Sequence, residues 1–97
     1  MKAYNLYIGH TAHGDSAWTW TREDVVATVS SVLKHEGIEG WTLFDALGSW
    51  KGTKEPTSVL LLSGVTKGTA LRIAQALKRY LDQESVGIQE APPLTFV

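Results

Sequence analysis

The chain has no cysteine among its 97 residues. Disulfides, thiolate nucleophiles and thiolate metal sites are therefore excluded, and the absence fits a reducing cytoplasm. An excess of either charge is missing too. Nine Lys and Arg against ten Asp and Glu leave a formal net charge of -1. With no basic stripe, nucleic-acid binding through phosphates has no support. No stretch approaches the roughly 20 apolar residues that a membrane helix needs. The opening MKAYNLYIGHTAHG has too short an apolar run for a signal peptide. No membrane partner is expected, and the expected location is the cytoplasm. There is no Ser-His-Asp pattern, no paired-carboxylate spacing and no credible metal cluster. An enzyme built from this sequence must find most of its chemistry in the substrate.

The length fits one domain over 1–97, and a hydrophobic content of 43% is ordinary for a globular fold. A chain this small buries roughly 60–70% of its unfolded surface, so a deep private pocket is hard to enclose. A ligand site is expected to be completed by a second copy.

Tyr4 to Ile8 alternates, with Tyr4, Leu6 and Ile8 on one side and Asn5 and Tyr7 on the other, which predicts a half-buried strand. Gly9 to Trp20 has no period and reads as a loop. Thr21 is the expected cap of a helix, with Asp24 three residues on and Val25, Val29, Val32 and Leu33 along one face. Gly37 is its expected stop. Trp41 to Leu47 and Ser58 to Ser63 read as strands, with Pro56 at the entrance to the second because it cannot donate to a ladder. Thr66 caps a second helix whose apolar face is Ala70, Ile73, Ala74, Leu77 and Leu81. Val86 to Glu90 is the last strand, ended by Pro92 and Pro93. The order β-α-β-β-α-β, with right-handed crossovers, predicts an α+β ferredoxin-like domain. It has a four-stranded antiparallel sheet with both helices on one face. The uncovered face would carry either Trp41, Leu43 and Asp45 or Thr42, Phe44 and Ala46, and large apolar groups there suggest association.

The segment FDALGSWKGTKEPTSVLLLSG, residues 44–64, is the most informative. It reads as strand, polar loop and strand, with Asp45, Trp50, Lys51, Lys54 and Glu55 around the turn. Glu55 stands at the mouth of an aliphatic strand. A carboxylate there can hold an ammonium group or act as a base; the plainer alternative is a solvated loop residue. His10 and His13 could ligate a metal, but no local partner completes a ligand set, and a polar loop is the simpler reading. His35, in the last turn of the first helix, reads as structural. Trp18 and Trp20 either cap a cleft or anchor their loop. GVTKGT, residues 64–69, lacks the spacing of a phosphate loop and reads as a turn and cap.

WKGTKE followed by SVLLLSG, within this element order, resembles the PII and CutA superfamily. Its members are trimers with ligand sites in the clefts between subunits. More narrowly, DALGSWKGTKEPTSVLLLSGVTKGTALRIAQALKRYLDQESVGIQ is similar in pattern to the small bacteriophage S-adenosylmethionine-degrading lyases. That resemblance implies a homotrimer that needs no metal or cofactor and takes an adenosine-type ligand. It implies that Glu55 fills the family's acidic position near the substrate's amino-acid end. Phe44 takes the place of an upstream aromatic, usually Tyr, near the adenosine, with Asp45 and Trp50 as neighbouring substrate-binding residues. The implied reaction is attack of the substrate's own carboxylate on its γ-carbon, giving methylthioadenosine and homoserine lactone. The alternative is a non-catalytic PII- or CutA-like trimer that binds a nucleotide.

Overall fold

The computed structural model describes residues 2–12 and 18–97. The elements run β1 Lys2–Gly9, α1 Arg22–His35, β2 Thr42–Trp50, β3 Thr53–Val65, α2 Lys67–Tyr80 and β4 Gly87–Ala91. The four strands pair antiparallel in the order β2-β3-β1-β4, the ferredoxin-like arrangement that the element order predicts.

Alternation along the strands decides which side chains meet the helices. Tyr4, Leu6 and Ile8 lie opposite Leu62, Leu60 and Ser58, and Leu6 and Ile8 are fully buried. Val25, Val29, Val32 and Leu33 of α1 and Ala70, Ile73, Ala74 and Leu77 of α2 close over them in one core, with Leu81 beside them. Trp41 and Leu43 pack against the same core. Thr42, Phe44 and Ala46 therefore belong to the uncovered face, with Asn5, Tyr7 and Gly9 of β1 in register beside β3.

Helix starts follow the sequence. Thr21 accepts from the Asp24 amide, and the Asp24 carboxylate accepts from Thr21 N–H, a complete capping box. Thr66 accepts from Thr69 N–H at 3.1 Å. The two helix ends share one geometry with different residues. After α1, Gly37 N–H reaches Lys34 O and Ile38 N–H reaches Leu33 O, with Gly37 at φ 74°. After α2, Asp82 N–H reaches Arg79 O and Gln83 N–H reaches Lys78 O, with Asp82 at φ 48°. Both are Schellman motifs. The first has the usual glycine and an apolar follower; the second has Asp and Gln.

The stretch between β2 and β3 differs from the expected polar loop. The strands run on to Trp50 and from Thr53, joined by Lys51 at φ 52° and Gly52 at φ 78°. Positive φ at both central residues is a type I′ turn, whose twist matches that of paired strands. Pro56 accordingly lies inside β3, opposite Leu47, not at its entrance. Its carbonyl accepts from His10 N–H at 3.0 Å. A strand residue's N and C=O point to the same side, so the missing donor faces the place where β1 ends and costs β2 no ladder bond.

A Cβ on Gly37 would meet nothing within 4 Å, so Gly37→Ala tests backbone strain alone. It should cost about 1 kcal/mol and lower Tm by roughly 4–8 °C. Asp82→Gly, which relieves the same conformation, should gain about 0.5 kcal/mol. Urea unfolding measures both, and coincident midpoints for Gly37→Ala and wild type would contradict the assignment.

Candidate functional site on the uncovered sheet face

β1 stops at Gly9, opposite Thr57, while β3 continues back through residues 53–56 paired to β2 alone. The hairpin thus projects past the end of the central strand. The step it forms with the loop after β1 and the loop after α2 is a cavity of about 540 Å³, lined by Tyr7, Gly9, Thr11, Glu55, Thr57 and Gln83 among others.

Glu55 is half-buried, on the open face opposite Gly48. Its Oε2 accepts from Thr11 N–H at 3.1 Å. Its carboxylate lies over Gly9, where an added Cβ would stand 2.6 Å from Oε1. Gly9 is glycine for space: its φ lies outside the left-handed region, and only the carboxylate forbids a side chain. Gly48 is similar, since a Cβ there would collide with Thr57 Oγ1. Across the cavity, Tyr7 donates to Gln89 Oε1 at 2.7 Å, and its ring stem packs beside Gly87. At the rim, Lys51 of the turn pairs with Glu84 of the loop after α2 at 2.6 Å. Exposed pairs of this kind contribute about 0–1 kcal/mol.

The expected site residues divide across the sheet. Glu55 lines the cavity. Phe44 shares its face and is 48% exposed, but stands four residues from Gly48 along β2, about 13 Å at the usual rise, and does not line the cavity. Asp45 is not brought there either. Consecutive strand residues face opposite ways, and Asp45 lies on the helix side, where both its oxygens accept from Arg22 Nε at 3.1 Å. Trp50 ends β2 beside the turn; its side chain and His13 lie outside the described residues. Trp20 anchors its loop: its indole donates to Leu81 O at 2.7 Å and meets the Trp18 ring edge-on at 5.6 Å. Among the described residues, no group of three His, Cys, Asp or Glu could hold a metal ion, and no helix is long and apolar enough to cross a membrane. The sequence reading missed Tyr7, Gly9, Thr11 and Gln83. Tyr7 was within reach, because it sits on the opposite side of the alternation from the core residues of β1.

The chain is thus a four-stranded ferredoxin-like sheet with a carboxylate held in a step of its open face. Among similar solved structures, a phage SAM lyase in its apo state is 26% identical with a TM-score of 0.67, the match covering 97% of this chain and 83% of that one. A phage SAM lyase in complex with S-methyl-5′-thioadenosine is 22% identical with a TM-score of 0.67, covering 93% and 79%. PII from Arabidopsis thaliana bound to citrate is 16% identical with a TM-score of 0.51, covering 97% and 78%, and shows the fold alone. No family model and no curated protein matches the chain. The structural neighbours are thus phage SAM lyases, with a more distant PII-like fold, in line with both resemblances read from the sequence.

His10 lies beneath the site, on the helix side. It is buried, with Nε2 and Ser58 Oγ 2.7 Å apart. Burial holds its pKa below the ordinary 6.5, outweighing the opposite pull of Asp45 and Glu55. The unfolded chain then binds a proton more readily than the folded one. Stability from this group is complete above the ordinary value and falls as pH drops below it. Melting temperature should therefore decline as pH falls through 6, and His10→Gln, though less stable at pH 8, should show a shallower decline. Parallel pH profiles for the two proteins would remove His10 as the cause.

Proposed function

We propose that this protein is an S-adenosylmethionine lyase whose site is the open-face cavity, completed by neighbouring copies in a homotrimer. The observation that carries the reading is the Glu55 carboxylate, fixed by Thr11 N–H over a glycine and turned into that cavity. The 26% identity to a phage SAM lyase over 97% of the chain supports the same choice of substrate.

On this reading Glu55 accepts from the substrate's ammonium group and holds the amino-acid end folded for attack. The substrate carboxylate attacks its own γ-carbon. The carbon–sulfur bond breaks, and its electron pair returns to the sulfonium, which leaves as neutral methylthioadenosine. The other product is homoserine lactone, and no proton is transferred in the step. Opposite charges cancel as the transition state forms, so a dry site favours it. Holding the attacking geometry supplies proximity worth several kcal/mol. Phe44, exposed on the same face, is assigned to the adenosine end and reaches it from a neighbouring copy. Trp50 keeps its expected place beside the hairpin turn. Asp45 has no part, because it pairs with Arg22 on the other side of the sheet. On this reading the protein acts in the cytoplasm, a location that its lack of cysteine fits.

The test is incubation of purified protein with S-adenosylmethionine and chromatographic detection of methylthioadenosine and homoserine lactone. Glu55→Gln should keep fold and assembly while turnover falls by about 10²-fold or more, the range for a positioned orienting group. Gly9→Ala, which displaces the carboxylate, should lower turnover in the same direction with little loss of stability. Glu23→Gln, in the first turn of α1, should leave turnover unchanged. Full activity of Glu55→Gln would sink the assignment. Binding of methylthioadenosine without consumption of S-adenosylmethionine would favour the non-catalytic nucleotide-binding module.

Light scattering should give about three times the 10.6 kDa chain mass. A monomer at micromolar concentration would remove the shared site.

A further inference from the structure

Two features at the end of α2 depart from what the fold requires. At the same position where α1 ends on Gly37, α2 ends on Asp82 in the left-handed region. Where α1 is followed by Ile38 packed on the core, α2 is followed by Gln83, which is polar and only 7% exposed. A helix stop needs neither choice: glycine and an apolar follower serve it better. Buried amides are costly unless their hydrogen bonds are made.

Those of Gln83 are made to two backbone carbonyls. Its Nε2 donates to Leu81 O at 2.9 Å, which fixes the amide, and to Thr11 O at 3.1 Å, 72 residues away in sequence. Thr11 is suited to be held. It forms an isolated bridge with Thr19, but the bridge bonds run from Trp20 N–H to His10 O and from Ala12 N–H to Trp18 O. The N–H and C=O of Thr11 itself point outward, one to Glu55 and one to Gln83. An unbroken line of hydrogen bonds therefore joins the end of α2 to the carboxylate: Leu81 O, Gln83 amide, Thr11 backbone, Glu55.

We infer that Gln83 is a positioning residue that sets the place of the Glu55 carboxylate through the backbone of Thr11. The inference rests on the lyase reading for its purpose and on the hydrogen bonds for its geometry. It explains why a polar side chain is buried where the helix stop calls for an apolar one. It also explains how a carboxylate on a projecting hairpin is held still, since the hairpin has no core on its open side.

Gln83→Met keeps the length and volume of the side chain and deletes both donors. In this variant kcat should fall roughly 10- to 100-fold, the cost of a misplaced orienting group. In a Glu55→Gln background the same change should cost less than about twofold, because residues acting through one another are not additive. A readout independent of turnover is the Thr11 amide resonance, which reports its bond to the carboxylate. It should move in Gln83→Met in the same direction as in Glu55→Gln, while the remaining spectrum stays dispersed. An unmoved Thr11 amide, or losses that multiply in the double variant, would overturn the role. Should Gln83→Met fail to fold, Thr11→Pro removes the next N–H in the line, the one that donates to Glu55, and leaves the buried amide in place. The same loss of kcat is expected, and full activity would overturn the inference. A wild type that makes no methylthioadenosine would instead remove the lyase reading and the role with it, and that failure is read on the unmodified protein alone.

Discussion

Two helices cover one face of a four-stranded sheet, and strand side chains alternate with a period of two, so each residue of β1, and of β2 and β3 where they run beside it, faces either the helices or the open side. The fully buried Leu6, Leu60, Ile8 and Leu62 fix that commitment, because a slip of one residue would exchange the two sets. Tyr7, Gly9, Phe44 and Glu55 are consequently delivered together to the open side. His10, Ser58 and Asp45 are delivered to the other, where Arg22 of α1 meets Asp45. The site inherits its composition from the register of the core.

The core-forming elements were legible because their signals are local. Capping threonines, the apolar stripe of each helix and the alternation in β1 each lie within a few residues of one another. The hairpin was not legible for a physical reason. Beyond Thr57 its strands have left the core, so neither face is buried and no alternation of apolar and polar residues marks them. Lys54 and Pro56 are exposed and Glu55 and Thr57 only half-buried, and all four are residue types that a loop would also carry. The turn itself is a Lys-Gly pair, weaker as a signal than Asn-Gly. The pairing of Phe44 with Asp45 in one site was open to correction from the sequence alone, since neighbours on a strand cannot share a face. Gln83 and Thr11 carried no local signal, for their bond joins the two ends of the chain.

The structure also accounts for how a short chain steadies a site at its edge. Of the loop after β1, the described parts are residues 10–12 and 18–21. Two bonds from that loop region converge on the end of α2: the Trp20 indole on Leu81 O and the Thr11 carbonyl on Gln83. The Lys51–Glu84 pair adds an exposed tie from the hairpin to the same region. The carboxyl end of one helix thereby fixes both walls of the step in which Glu55 lies. Each tie is modest, but together they remove freedom from a carboxylate that would otherwise ride on an unsupported hairpin.

On the lyase reading, what the single chain leaves undone is as telling as what it supplies. Charge cancellation between a carboxylate and a sulfonium gains from exclusion of water, yet the cavity opens along the uncovered face. Phe44 is 48% exposed on that face and Tyr7 41%. One chain can therefore orient the amino-acid end of a substrate against Glu55 but cannot dry the reacting centre. A second copy laid on the open face would cover the exposed aromatics, shut out water and bring an aromatic ring to the adenosine end in one event. Assembly and catalysis would then depend on the same surface, and a substitution that weakens subunit contact there would lower turnover even where Glu55 and its hydrogen bonds are untouched.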